Sequence, residues 1–454
     1  MSYDLALNGG CVVLAEGVVD GLNIGVRAGR IVTLTSDTLA AERVVDASGL
    51  TVMPGVIDEH FHVFRGYGWE THEGATRAAA KGGVTTVVDM PIDKPAILSA
   101  DLVGEKRDAI SQSCYVDYAL FGGYPAENPD DMTAMVASGV MVFKLFTGEL
   151  SPPGMYPGVT DAQVLDTMRR AKALDVTVVV HCENESIVEF ETARLRDGGR
   201  QDLEVWNEAR PWFSEVEASQ RVALLAEVTG CRTVLAHVTH PRVAEVVAAA
   251  RARGVDIWVE TAPHNLLITK EDMARDIRLK WNPPSRSRAD VDELWSMLAH
   301  GDVHTIGSDH APLAKVEGAD IWTQAPGAGN SVETMFEVVA TEALNGRNIS
   351  LSRLADLFST TPAKVFGLFP RKGTIAIGSD ADFVVAETAG RRRIDATELE
   401  YLDRSAAWSP FDGKEMSVYP VYTIVRGRVV CEHGHVVGSP IYGQLITEGH
   451  AVAL

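Results

Sequence analysis

The middle of the chain alternates between short apolar runs and longer stretches rich in Ala, Glu and Arg. Eight apolar runs stand out: GVIDEHFH (55–62), TTVVDMP (85–91), DYALFGGY (117–124), MVFKLF (141–146), TVVVHCEN (177–184), TVLAHVTH (233–240), DIWVETAPH (256–264) and HTIGSDH (304–310). Continuous apolar runs of this length suit strands buried on both faces. Between them EGATRAAAK, DAQVLDTMRRAKAL, SEVEASQRVALLAEV and PRVAEVVAAARARG have helix-forming composition. Eight β-then-α units are what a (β/α)8 barrel needs. A doubly wound sheet uses the same units, and their number alone does not exclude it. The polar residues favour the barrel. Nearly every run starts apolar and ends in His, Asp, Glu, Asn or Lys. In a barrel those strand ends converge on one face, where active sites form.

Both chain ends read differently. LALNGGCVVL, GLNIGVRAGRIVTLTS and ERVVDASG near the start, and GTIAIGSDADFVVAE and VYTIVRGRVVCEHGHVV near the end, mix β-branched residues with Gly, Asn and Asp. The expected architecture is α/β. A TIM barrel over residues 54–370 carries a small β-sandwich domain built from both termini, 1–53 and 371–454. No low-complexity stretch or strict repeat interrupts it.

Composition narrows the partners. The 454 residues suit one large domain plus a smaller one, and 46% hydrophobic against 23% charged residues suits a globular core. A formal net charge of −21 argues against nucleic acid or an anionic membrane as the main partner. No apolar run reaches the ~18 residues that span a bilayer. The opening MSYDLALNGG lacks the basic and apolar regions of a secretory signal. Cys11, Cys114, Cys182, Cys231 and Cys431 are scattered without a CxxC pair. A reduced, cytoplasmic setting with no disulfide framework and no thiolate zinc site is the simplest expectation.

The strand ends carry the chemistry. His60 and His62 are two apart, so an extended strand puts both imidazoles on one side, about 7 Å apart at Cα. His181 ends VTVVVH and His237 ends TVLAH. Any one of these histidines is more often structural. Four at three strand ends, with His181 and His237 in successive units, suit a metal, for which neutral imidazole is a common ligand. Asp309 in GSDHAP reads as a fifth ligand able to take a proton. His310 beside it points away on an ideal strand and reads as structural or substrate-orienting. Lys144 sits in VMVFKLF, where a buried ammonium is costly and repels a metal. Pairing with a carboxylate is the ordinary solution. Among these histidines the better one is reaction with carbon dioxide to a carbamate, an anionic two-oxygen ligand able to bridge two ions.

DEHFH, Lys144, HCEN, AHVTH and SDHAP together resemble the amidohydrolase superfamily, specifically its cyclic amidases: hydantoinases, allantoinases, dihydropyrimidinases and dihydroorotases. The resemblance runs along essentially the whole chain, through WETHEGATRAAAKGGVTTVVDMP, VETAPH, NPPSR and TPAKVFGL. It implies two divalent ions, Zn with Mn and Co as alternatives. One is held by His60, His62, carbamylated Lys144 and Asp309, the other by the same carbamate with His181 and His237. It also implies a bridging hydroxide that attacks a ring carbonyl. Asp309 then shuttles the proton to the leaving nitrogen, and a ureido acid results. A homotetramer is a further implication.

The substrate is less sharply drawn. The dihydroorotase pattern has an Arg two residues after the second histidine. Phe64 stands there, with Arg65 one position along, which counts against dihydroorotase. Asn282 in NPPSR counts mildly the other way. D-selective hydantoinases have a Tyr five residues after the modified Lys, where Glu149 stands here. Tyr156 on the same loop is the candidate replacement. VIDEHFH, DMPI, LFGGYP and AWSPFDG look hydantoinase-like, whereas WETHEGATRAAAKGG, VHCEN and FSEVEA look allantoinase-like. The expected substrate is therefore a small cyclic ureide or imide, with Asn282, Tyr156 and Arg65 as candidate contacts. The Gly- and Pro-rich loop GELSPPGMYPG is expected to cover the pocket. Dihydropyrimidinase or dihydroorotase activity is the alternative. A non-catalytic scaffold of this fold would lack a full ligand set.

Overall fold

The computed structural model describes residues 2–148, 154–400 and 407–447. Glu149 and residues 150–153 of the loop after Lys144 lie outside them. Five strands open the chain: β1 (Tyr3–Leu14), β2 (Gly17–Arg27), β3 (Arg30–Thr35), β4 (Ala41–Asp46) and β5 (Thr51–Pro54). Eight follow in the alternating region: β6 (Val56–Phe61), β7 (Val84–Asp89), β8 (Asp117–Gly123), β9 (Val140–Phe146), β10 (Thr177–His181), β11 (Thr233–Leu235), β12 (Ile257–Thr261) and β13 (Thr305–Ile306). These eight pair in sequence order as one parallel sheet. The expected apolar runs all became barrel strands.

The sheet closes through its first and last strands. His62 N donates to His310 O at 2.9 Å. Ser308 donates from N and Oγ to the Asp58 carboxylate, at 2.8 and 2.6 Å. The helices form where composition placed them: α1 (His72–Lys81), α2 (Asp161–Leu174), α3 (Trp212–Thr229) and α4 (Pro241–Arg251). Side-chain caps set several starts. Thr71 accepts from Gly74 N, and Thr160 forms a capping box with Gln163. Strand alternation sorts the core into two layers. Phe143, Leu145, Val178 and Val180 pack outward with helix residues such as Val164, Met168 and Val222. Val142 and Val179 pack inside with Ile57, Val88 and Phe121. By the same period Lys144 and His181 face inward.

The termini build a second sheet of nine strands. It adds β14 (Phe383–Glu387), β17 (Tyr419–Val425), β18 (Arg428–Glu432) and β19 (His435–Val436) to β1–β5, while β15 (Arg392–Arg393) pairs separately with β16 (Glu415–Met416). The long β1 is shared: Tyr3–Asn8 pairs β4, and Cys11–Val12 pairs β5. That branch lets the sheet enclose its own apolar layer, including Leu5, Ile24, Val52, Phe383 and Ile424. β14 lies between β5 and β17, so the two chain ends are interleaved. At the barrel floor Lys372 Nζ reaches Asp117 of β8 at 2.7 Å and Asp382 at 2.6 Å, tying this sheet to the barrel.

Candidate metal centre

At the C-terminal mouth, six side chains from five barrel strand ends converge, all of them buried: His60, His62, Lys144, His181, His237 and Asp309. His60 Nε2 and His62 Nε2 lie 3.3 and 3.7 Å from Asp309 Oδ1. One donor atom from each of these three lies within 4.8 Å of the others. Alongside, His181 Nδ1 faces His237 Nε2 at 3.0 Å. The His60 and His237 rings, 5.2 Å apart, join the two groups. Burial, before any other cause, depresses the pKa of His60, His62 and His237 and keeps them neutral, the form that binds metal. The Asp309 carboxyl is held below the usual range: burial opposes this, but His60, His62 and His264 outweigh it. Two of these residues occupy left-handed backbone, His237 at φ 38° and Asp309 at φ 50°. Such strain persists where the surroundings over-determine it, commonly at functional sites.

Lys144 is the anomaly that the sequence suggested. Its Nζ is buried without a hydrogen-bond partner among the described residues, 5.0 Å from the Phe146 ring centroid. Burial pushes the ammonium down to about 8, against the pull of Glu260 and Asp309. Its charge bears on His60, His62 and His237. An unpaired ammonium amid neutral imidazoles is a poor resting state. A carbamate there, with the four imidazoles and Asp309, is a donor set that fits two divalent ions.

A second layer orients the first. Glu260 Oε1 is 2.6 Å from His60 Nδ1 and accepts from His237 N at 3.2 Å. That leaves His60 Nε2 as the nitrogen facing Asp309. Glu183 Oε2 is 2.8 Å from His181 Nε2 and is paired with Arg210. Burial works against ionising Glu183, but Arg210 and His181 hold it down at about 2. An ionised Glu183 fixes the His181 proton on Nε2 and leaves Nδ1 as a lone pair. His264 Nε2 is 3.8 Å from Asp309 Oδ2, its ring stacked on Trp281. Sequence reasoning assigned no role to Glu260, Glu183 or His264. Yet all three lie in runs whose polar endings were the signal used for the ligands.

The candidate substrate residues divide. Asn282 lines the cavity over the centre and accepts from Trp206 Nε1 at 3.1 Å. Tyr156 does not reach it. Its hydroxyl donates to Lys144 O at 3.3 Å, while Met155 supplies the wall. Arg65 is turned away, because Asp93 holds its Nε at 3.1 Å. His310 is structural: it stacks on Phe61 and accepts from Ser331 N. Phe64 stacks on His62 with centroids 5.0 Å apart, at φ 56°. With Trp69, Ile92, Phe146, Met155 and Leu313 it forms an apolar wall around a space of about 260 Å³.

A closed parallel barrel with a ring of strand-end histidines, a strand-end aspartate and a buried lysine defines a class of metal-dependent hydrolase. Residues 51–430 match the Amidohydrolase family, and the chain belongs to it. An L-hydantoinase from Paenarthrobacter aurescens is 34% identical over 457 residues, 98% of each chain. An allantoinase from Salmonella choleraesuis is 33% identical over 453 residues, 98% of this chain and 99% of that one. The solved L-hydantoinase (dihydropyrimidinase) from Arthrobacter aurescens superposes with a TM-score of 0.90 at 34% identity, covering 97% of this chain and 99% of that one. A solved D-hydantoinase gives 0.90 at 30% identity, covering 98% and 99%.

Proposed function

We propose that the chain hydrolyses a cyclic amide, opening a five-membered ureide ring to its ureido acid. The observation that carries this is the convergence of four imidazoles, Asp309 and, among the described residues, an unpartnered lysine beneath one cavity. His60, His62 and Asp309 would hold one divalent ion and His181 and His237 another, with Lys144 bridging them as a carbamate. When bound, the ions polarise a carbonyl and lower the pKa of water. The other roles belong to the chain itself. Asp309 is the proton carrier, taking a proton from the attacking water and giving it to the leaving ring nitrogen. His264 steadies its second oxygen. Glu260 and Glu183 keep the imidazoles oriented. The amide of Asn282 offers hydrogen bonds to the ring. Zinc is the first choice of ion, with manganese and cobalt as alternatives. A homotetramer in the cytoplasm completes the reading, the compartment supported by five free cysteines.

The apolar wall favours a hydantoin with an apolar substituent at ring carbon 5. Phe64 offers no partner to a carboxylate, which counts against dihydroorotate. Allantoin is the second reading. A chamber adjoining the cavity at His181 and Asn282 is lined by Glu183, Glu189, Thr192, Arg196 and Arg210. Those polar groups are what a ureido substituent needs. The deciding experiment is a side-by-side assay of hydantoin, 5-substituted hydantoins, allantoin, dihydrouracil and dihydroorotate, following the ring-opened product. Fastest turnover is expected on 5-substituted hydantoins. A preference for dihydroorotate would reject the five-membered ureide.

A further inference from the structure

Residues 313–328 follow the last barrel strand and have no helix or strand of their own. Trp322–Ala328 nevertheless line the cavity. Two buried lysine amino groups hold this strap. Lys280 Nζ donates to Ile321 O and Ala325 O, each at 2.8 Å, and lies 3.6 Å from the Trp206 ring centroid. Lys315 Nζ donates to Lys280 O at 2.8 Å and Pro326 O at 3.0 Å, and lies 4.3 Å from the Trp281 ring centroid. Each amino group thus places two N–H donors on backbone carbonyls and faces an indole ring as well. Among the described residues neither has a carboxylate within ion-pair distance.

A lysine amino group without a counter-ion is costly to bury, so its return must come from what it fixes. Here that is a run of carbonyls with no ladder partner, which burial would leave unsatisfied. The contact with the wall is close. Asn282 N donates to Gly327 O at 3.0 Å, and a Cβ on Gly327 would stand 2.3 Å from Asn282 Nδ2. Displacing the strap therefore moves the cavity wall, while Trp206 still holds the Asn282 amide and the histidines on the barrel strands stay where they are.

We propose that Lys280, backed by Lys315, is a positioning residue for substrate specificity: it clamps the strap into a fixed roof whose placement sets how large a ring substituent the cavity accepts. This rests on the cyclic ureide reading above.

The test compares wild type, Lys280→Met, Lys280→Arg and Lys315→Met on hydantoin and 5-benzylhydantoin, with backbone amide exchange measured in parallel. Methionine keeps the apolar stem and removes the donors. Lys280→Met should raise KM for 5-benzylhydantoin at least ~10-fold while kcat for that substrate and KM for hydantoin move less than ~3-fold. Exchange at Gln324 and Ala325, whose amides bond to Asp320 O, should quicken at least ~10-fold with barrel strands unchanged. Lys280→Arg, which keeps donors and a cation near Trp206, should recover most of the loss. Lys315→Met should show the same split and stands in if Lys280→Met does not fold. Equal changes on both substrates, a kcat loss without a KM change, or unaltered strap exchange would each overturn the clamp. Wild type inactive on both rings would instead reject the ureide reading, and the exchange data would still decide whether the clamp exists.

Discussion

Two of the lysines sealed inside this protein, Lys372 and Lys144, are used in opposite ways. Lys372 at the barrel floor is within 2.7, 3.2 and 2.6 Å of Asp117, Asp380 and Asp382. Lys144 at the mouth has no hydrogen-bond partner among the described residues. Both neighbourhoods look able to hold a metal by distance alone, since Asp117, Asp380 and Asp382 cluster as closely as His60, His62 and Asp309. At the floor, however, the cation is built in. Burial works against the Lys372 ammonium, but Asp117, Asp382 and Asp380 outweigh it and raise its pKa. Arg426 adds a second cation on Asp117. At the mouth the balance runs the other way, and burial brings Lys144 down to about 8. A carboxylate cluster filled by a lysine is a bolt between two sheets. A histidine cluster whose one lysine is pushed toward its neutral form has no cation built into it.

Substituting each lysine is the sharpest way to break this contrast. Lys144→Ala should lose most bound metal and at least ~1000-fold in turnover, with the fold retained. Short carboxylic acids, which can bridge two ions in the vacated space, should restore part of the activity. Lys144→Arg should not respond, because the guanidinium fills the space and stays positive. Lys372→Met should do the reverse. It strands buried carboxylates and should cost about 3–5 kcal/mol of stability. Turnover per folded chain should stay within ~3-fold of wild type. Metal analysis, turnover and thermal denaturation on the two variants decide it. If the two lysines exchange phenotypes, the contrast is wrong.

Asp309→Asn comes next. The amide keeps one ligand oxygen but cannot carry a proton, so turnover should fall at least ~100-fold while much of the metal remains. Normal turnover would remove Asp309 as the proton carrier. Glu260→Gln is milder. It keeps a hydrogen bond to His60 Nδ1 but weakens its charge, and should lower metal affinity about 10-fold. Titration of chelator-stripped protein with zinc reads this directly, and an unchanged affinity would demote Glu260 to packing.

The mouth was more legible in the sequence than the floor, for a physical reason. The mouth side chains sit at or just after strand ends, so periodicity places His60 and His181 on one face, and Asp309 follows the last strand. Lys144 was conspicuous because an ammonium interrupts an apolar run. The floor has no such local mark. Asp117, Lys372, Asp382 and Arg426 lie in three separate stretches, and only the interleaving of both chain ends brings them together. Arg65 and Tyr156 were misplaced for a related reason. A loop's direction depends on partners elsewhere, Asp93 for one and Lys144 O for the other. Glu260 and Glu183 obeyed the strand-end rule and were visible, but nothing in the sequence showed which imidazole each one touches.

The smallest expected effect is a pH dependence of the floor cluster. Burial favours protonated Asp117, but Lys372 and Arg426 outweigh it and hold its pKa below the ordinary carboxylate value. Its contribution to stability is therefore present above about pH 4 and is lost as pH falls through the folded value. Asp382 has the opposite sign. Burial, opposed by Lys372 and helped by Asp380, pushes it up to about 6, so its contribution is lost as pH rises through that value. Removing Lys372 takes away the cation that favours ionisation of both groups, and both folded pKa values should rise. The variant then binds more protons when folded than when unfolded, so its stability should fall more steeply with rising pH than that of wild type. The gap in Tm between wild type and Lys372→Met should thus be widest near pH 8 and shrink toward pH 5. It should be measured on chelator-stripped protein, so that metal loss in acid does not enter. A gap of constant size from pH 5 to 8 would show that Lys372 acts by packing its stem and not by holding the carboxylates ionised.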